Sequence, residues 1–381
     1  MDTAAGMNLP GMGGMAGMNL PGMGGSQAQG GRRLLLQLGS QRAGADGPRA
    51  AHEIPAGMQM GPSLPLLTPR SASAPRGEER ELPEGMERPR GRMLIYWGCG
   101  ENVRAGQPVI IDFSKLSQGQ MPPQLAARRI ARPAGPSASR SRTYGEWPNA
   151  EDGKPVPDAA SLRGEHQVRG NYTPEIRFAL DERQDFMPRV ELSAAPRGQA
   201  GALSVQWQAL AAATGYFATA MGGEGEDVLM WSSSEVQELG GALMDYLPPA
   251  EAGRLVREKV VMAPQTVECT VPAEFVRKAG TPFLNFIAYG GEANFAQPPR
   301  PQDPRQAWEP LWTVKVRYKS TASLLLGQEG ETRGRGGRPA ERGGPAASDT
   351  SPPPARPAEP VDPLKEGVRE GVNLLKGLFG R

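Results

Sequence analysis

Five methionines, Met7, Met12, Met15, Met18 and Met23, stand in a repeat of glycine and proline. Thioethers are soft ligands that suit Cu(I), and a pliant chain could gather three around one ion. No cysteine or histidine stands among them to help. A low-complexity repeat grown by duplication is therefore the plainer reading, and copper as a cofactor is the alternative. The only cysteines are Cys99 and Cys269, and the only histidines His52 and His166. These make neither a zinc ribbon nor a disulfide scaffold. One disulfide is open to the pair if the protein is exported; two separate buried thiols are the bland reading. Cys99, in WGCGE, would need His166 as base to serve as a nucleophile. Nothing in their spacing joins them, so a small thiol packed at a strand end is expected. No catalytic residues are assigned.

Other residues invite binding. Trp97, Trp207, Trp231, Trp308 and Trp312 could line a sugar platform. Core packing explains most of them; Trp308 sits in a proline-rich loop and is the exposed candidate. The arginine–glycine run over 333–344 is similar in composition to RNA-binding segments. No aromatic is interleaved there, and Glu329, Glu331 and Glu341 dilute the charge, so a solvated linker is expected. Arg128, Arg129, Arg132, Arg140 and Arg142 mark a basic loop read the same way. With a formal net charge of +2, the chain has no strong drive toward nucleic acid or anionic lipid.

The elements follow from periodicity. Leu203, Val205 and Trp207 alternate with Ser204, Gln206 and Gln208, the two-residue rhythm of a half-buried strand. Small residues over 211–215 let the chain turn, and Tyr216, Ala218 and Ala220 share a face of a return strand. Runs over 32–39, 92–98 and 107–114 read as strands, the last two as central ones covered on both faces. Further strands are expected over 166–182, 227–232, 266–271, 282–289 and 312–318. In the last, Trp312, Val314, Val316 and Tyr318 point inward, and its basic alternates suit an exposed edge. Ser234 with Gln237 fits a capping box opening a helix toward Leu247, and a second helix is expected over 249–260.

The ends differ. Fifty glycines and 39 prolines in 381 residues mean that part of the chain cannot offset the entropy of folding. Residues 1–31 repeat AGMNLPGMGG at 5–14 and 16–25 and read as a disordered tail. Residues 328–361 read as a disordered linker of roughly 30 Å. Residues 362–381 form an amphipathic helix, with Leu364, Val368, Val372, Leu375 and Phe379 on one stripe. That helix needs a surface, on a partner or on its own domain. No apolar run is long enough for a transmembrane span. No signal peptide is visible at the start, which leaves the cytoplasm as the alternative compartment.

The expected fold class is all-β: two tandem β-sandwich-like domains, 32–182 and 186–327. The second carries a short helical insertion near 234–260. The Trp207–Tyr216 stretch resembles the second and third strands of fibronectin type III domains, which implies an Ig-like sandwich and no particular activity. The segments GRMLIYWGCGE and NYTPEIRF resemble a group of proteobacterial proteins with no assigned function. That resemblance implies an exported, periplasmic protein. The expected function is a non-enzymatic cell-envelope module that binds or scaffolds a partner. The alternatives are soft-metal handling and a hydrolase on a sandwich scaffold.

Overall fold

The computed structural model describes residues 1–5, 31–44, 47–69, 91–116, 130–131, 135–303 and 305–327. The chain runs through β1 (Asp2–Ala5), β2 (Arg33–Ser40), β3 (Ala50–Glu53), β4 (Ser63–Leu66), β5 (Arg92–Trp97) and β6 (Val109–Asp112). The short helix α1 (Phe113–Leu116) follows, then β7 (Thr143–Trp147), β8 (Gly164–Gly170), β9 (Ile176–Leu180), β10 (Ser193–Arg197) and β11 (Ala202–Gln206). After β12 (Gly215–Glu224) and β13 (Asp227–Ser232) come α2 (Pro249–Arg257), β14 (Glu268–Val271) and α3 (Ala273–Ala279). The long pair β15 (Phe283–Gln297) and β16 (Trp312–Leu325) closes the described part. The protein is all-β, with few helical residues.

A nine-stranded sheet runs β6-β5-β13-β12-β15-β16-β1-β2-β7. Only β5 with β13 and β1 with β16 pair in parallel; the other neighbours are antiparallel. Two small sheets, β10-β11-β14 and β4-β3-β8-β9, cover one face of it. Trp207 meets Phe286 with ring centroids 4.7 Å apart, and Phe178 meets Phe295 at 5.2 Å. Two hydrogen bonds between Leu67 and Glu146 hook the four-stranded sheet to β7.

Alternation explains why the central strands are buried twice. Leu94 and Tyr96 of β5 face the small sheets, while Met93 and Ile95 pack behind with Ile111, Phe113 and Val228. On β12 and β15, Tyr216 and Phe286 face the small sheets. Phe217, Ile287 and Tyr289 pack under Leu243, Leu247 and Leu255 on the opposite face. The segment near 234–260 is thus a cover on the back of the sheet.

Several expectations change. The nine-stranded sheet takes β2, β5, β6 and β7 from before residue 182 and β12, β13, β15 and β16 from after it. The segments 32–182 and 186–327 therefore share one sheet instead of carrying one each. The cause is pairing between distant strands, as in β5 beside β13. β11 and β12 do not pair with each other: β11 lies in the three-stranded sheet and β12 in the large one. The small-residue stretch is an arch between layers, and Trp207 meets Tyr216 across it at 5.5 Å.

β6 is an edge, with Ile110 exposed, whereas β16 is central. The basic alternates of β16 are held by Glu292, which bonds Lys315 at 3.0 Å and Arg317 at 3.4 Å. The expected helix from Ser234 to Leu247 is only a 3-10 turn, Gly241–Leu243. Gly240 has φ +80° and ends any α-helix there, and the Ser234 hydroxyl instead accepts from the Val236 N–H at 3.2 Å. Residues 2–5 of the expected disordered tail form β1, held by backbone pairing to β16 and β2.

The two cysteines are bonded. Cys99 and Cys269 form a disulfide with Cα atoms 5.1 Å apart across 170 residues of sequence. It ties the loop after β5 to β14, and so the large sheet to the three-stranded one.

Two stability measurements check this packing. Phe286 is fully buried beneath Trp207, and Phe286→Ala is expected to lose about 3–5 kcal/mol in urea unfolding. Replacing both cysteines by serine is expected to lose about 2–5 kcal/mol by removing the long cross-link. A loss below 1 kcal/mol in either variant would contradict the packing described.

Candidate functional site

The four-stranded sheet brings the only two histidines together. β3 pairs with β8 so that His52 stands opposite Val168, and β8 pairs with β9 so that His166 stands opposite Phe178. His52 and His166 are thus diagonal neighbours on one face. His52 Nε2 lies 3.1 Å from His166 Nδ1, and His166 Nε2 lies 2.7 Å from the Leu162 carbonyl oxygen. A carbonyl only accepts, so His166 carries its proton on Nε2. Its Nδ1 is then an acceptor, and His52 donates from Nε2. Phe178 stacks on His166 at 4.9 Å with planes 6° apart.

Both imidazoles are buried. Burial first, and the neighbouring His166 second, push His52 down to about 3. Burial also lowers His166, partly opposed by its bond to the Leu162 carbonyl. The pair is therefore neutral in the folded protein at ordinary pH.

His52 lies on the wall of a cleft of about 420 Å³. One side of the cleft is apolar, with Leu36, Leu66, Val168, Phe178 and Val314. The other is polar and mainly basic, with Gln37, Arg140, Lys315 and Arg317 beside the carboxylate of Asp2. Arg317 is nearly buried. It bridges Glu292 at 3.4 Å and Asp2 at 3.6 Å, and lies 5.5 Å from the Tyr246 ring. Lys315 holds the other oxygen of Glu292. These contacts keep Glu292 below the usual carboxylate range against the desolvation of its own burial. His166 lines a second, more open cleft with Glu53, Ser63, Glu165 and Arg177. The histidine pair is the wall between the two.

No family model, curated protein or solved structure matches the chain. The site is therefore read from its own residues.

The other candidates fare as follows. Met7, Met12, Met15, Met18 and Met23 lie outside the described residues, as do the linker over 328–361, the helix over 362–381, and Arg128, Arg129 and Arg132. Among the described residues, no three His, Cys, Asp or Glu side chains gather as metal ligands, and no helix is long and apolar enough to cross a membrane. Cys99 is bonded to Cys269 and is no free thiol beside His166. Trp207 and Trp231 are core residues. Trp308 is half-buried, with its Nε1 donating to the Pro298 carbonyl at 3.0 Å and Arg300 near its face. Trp97 and Trp312 pack against separate hydrophobic clusters, so among the described residues the five tryptophans share no platform.

The histidine pair and the cleft had no sequence signal beyond residue type. AAHE carries no apolar alternation, and only strand pairing brings His52 to His166.

The histidines make stability depend on pH. The unfolded chain binds protons at His52 and His166 from about pH 6.5 downward, while the fold resists both. Their contribution is whole above pH 6.5 and is lost as pH falls. Between pH 6.5 and 4.5 His52 is expected to remove up to about 1.4 kcal/mol per pH unit, and His166 adds to the loss in the same direction. Denaturant melts across that window check the slope, and His52→Gln should flatten it.

Proposed function

We propose that this chain is a non-enzymatic, exported binding module of the cell envelope. The observation that carries the reading is the cleft between the four-stranded sheet and the large sheet. It has one apolar wall and one basic wall, and its volume of about 420 Å³ lies in the range of ordinary ligand pockets. The two imidazoles beside it are engaged with each other and with a main-chain carbonyl, an arrangement that positions a wall more readily than it moves protons. The Cys99–Cys269 bond supports export, because such bonds persist in oxidising compartments.

Titration with the anionic apolar dye anilinonaphthalene sulfonate tests the cleft. The expected result is saturable fluorescence at one dye per folded chain, weakened about tenfold or more in Val314→Trp, which fills the cavity. A non-saturable signal, or one that Val314→Trp leaves unchanged, overturns the reading. Cell fractionation with thiol alkylation tests the compartment. The envelope fraction should hold the protein with no alkylated cysteine, and a cytoplasmic protein with both alkylated would refute export.

A further inference from the structure

The back of the large sheet, the face turned away from the two small sheets, changes character along its width. On β16 it is charged, with Lys315 and Arg317 joined to Glu292. Behind β12 and β15 it is covered by Leu243, Leu247 and Leu255. Behind β13, β5 and β6 it is apolar, and Met93, Ile95, Ile111, Phe113 and Val228 form a cluster of their own. The partly buried apolar residues around that cluster are Trp97, Val109, Met221, Met230 and Leu239, and all but Leu239 belong to the strands of the sheet. α3 approaches β13 from the other face, where Phe275 meets Tyr96 at 5.6 Å. Among the described residues, no helix or strand packs over this end.

Register draws a line of apolar residues across the same face. Leu325 stands opposite Phe283, Phe283 opposite Met221, Met221 opposite Met230, Met230 opposite Ile95, and Ile95 opposite Val109. All but Ile95 are only partly buried. Across these strands the line is about 24 Å long. A sheet face of this kind is buried against another layer in a stable fold.

The chain carries a matching stripe. It leaves the described part at Gly327, just past Leu325 and so at one end of the line. Beyond it, Leu364, Val368, Val372, Leu375 and Phe379 recur at helical spacing. As a helix that stripe is about 22 Å long, close to the length of the line. The stretch 328–361, at roughly 30 Å on average, reaches any point of it. The stretches next to β5 and α1 in sequence supply no such stripe. Over 70–90 the large apolar residues are Leu82 and Met86, and over 117–129 they are Met121 and Leu125.

We infer that the β13-β5-β6 end of the back face is the docking surface for residues 362–381 of the same chain. The apolar stripe meets Val109, Met221 and Met230, and Lys365, Glu366, Arg369, Glu370 and Lys376 stay in water. The tether holds the segment near the surface at roughly millimolar effective concentration. Docking thereby orders a helix that Gly367, Gly371 and Gly377 would leave marginal alone.

The test uses the full chain with the photoreactive residue p-benzoylphenylalanine in place of Leu375. Equal parts of unlabelled and heavy-isotope-labelled protein are mixed, irradiated and read by mass spectrometry of the peptides. The expected result is a crosslink within one chain to Met221 or Met230. Adding Val368→Asp should lower its yield about tenfold, because burial of a branched apolar side chain is worth about that factor. Crosslinks chiefly between labelled and unlabelled chains would mean that the face seats a second copy, and would overturn docking within the chain. Crosslinks confined to residues outside β12, β13, β5 and β6, or a yield that Val368→Asp leaves unchanged, overturn it as well. Absence of any crosslink to the sheet leaves the face to a separate partner and also refutes the proposal.

Discussion

The pairing of β15 with β16 sets the geometry of everything around it. It runs from Phe283 opposite Leu325 to Gln297 opposite Trp312, with one irregularity between Tyr289 and Glu292. Gly290 and Gly291 there oppose the single residue Tyr318. An added Cβ at Gly290 would lie 2.6 Å from the Tyr318 carbonyl oxygen, so the bulge needs glycine. Its effect is a change of parity. Before it, Leu284, Phe286 and Ala288 face the small sheets; after it, Ala293 and Phe295 do. β16 keeps its own parity throughout, with Val316, Tyr318 and Ala322 facing the same way. The extra residue thus lets one strand serve the three-stranded sheet at one end and the four-stranded sheet at the other.

The same bulge places charge. Once parity has changed, Glu292 falls on the face of Lys315 and Arg317, and both basic residues pair with it. Without Glu292 the nearly buried Arg317 would keep only the longer bridge to Asp2. Breaking such a group is costly even where making it gains little. The pairing is what allows a strand with basic alternates to sit in the middle of a sheet. It also leaves the basic groups of β16 on one side of the cleft and its apolar lining on the other.

Legibility followed the size of the side chains. Strands with large side chains declared themselves, β9 and β16 by alternation and β5 as a continuous apolar run. β1 and β3 did not. DTAA and AAHE contain little to bury and become strands because backbone edges on both sides require a partner. α3 carried ordinary punctuation that the strand-based reading passed over: Pro272 before it, Glu274 in the first turn, Arg277 and Lys278 in the last, and Gly280 after it. The partnership of strands was not legible at all. β5 beside β13, and β1 between β16 and β2, join residues far apart in the chain, and local rhythm does not specify a neighbour. The histidine pair and the cleft depend on such partnerships, so neither could be read in advance.

The two covers of the large sheet are secured by different chemistry. The three-stranded sheet is tied by the Cys99–Cys269 bond, and Gly100 donates from its N–H to the Thr270 carbonyl at 2.8 Å beside it. Acid leaves both untouched. The four-stranded sheet is held by the Leu67–Glu146 bridge and by aromatic contact through Phe178, which is stacked on His166. That contact rests on two neutral imidazoles that the unfolded chain would protonate first. Regions of one protein open with different free energies, and the least stable one opens before the whole. Mild acid therefore works against the four-stranded cover selectively, and this cover forms the apolar wall of the cleft. The disulfide keeps the three-stranded cover tied to the large sheet while that wall loosens, so the cleft depends on the cover that mild acid weakens first.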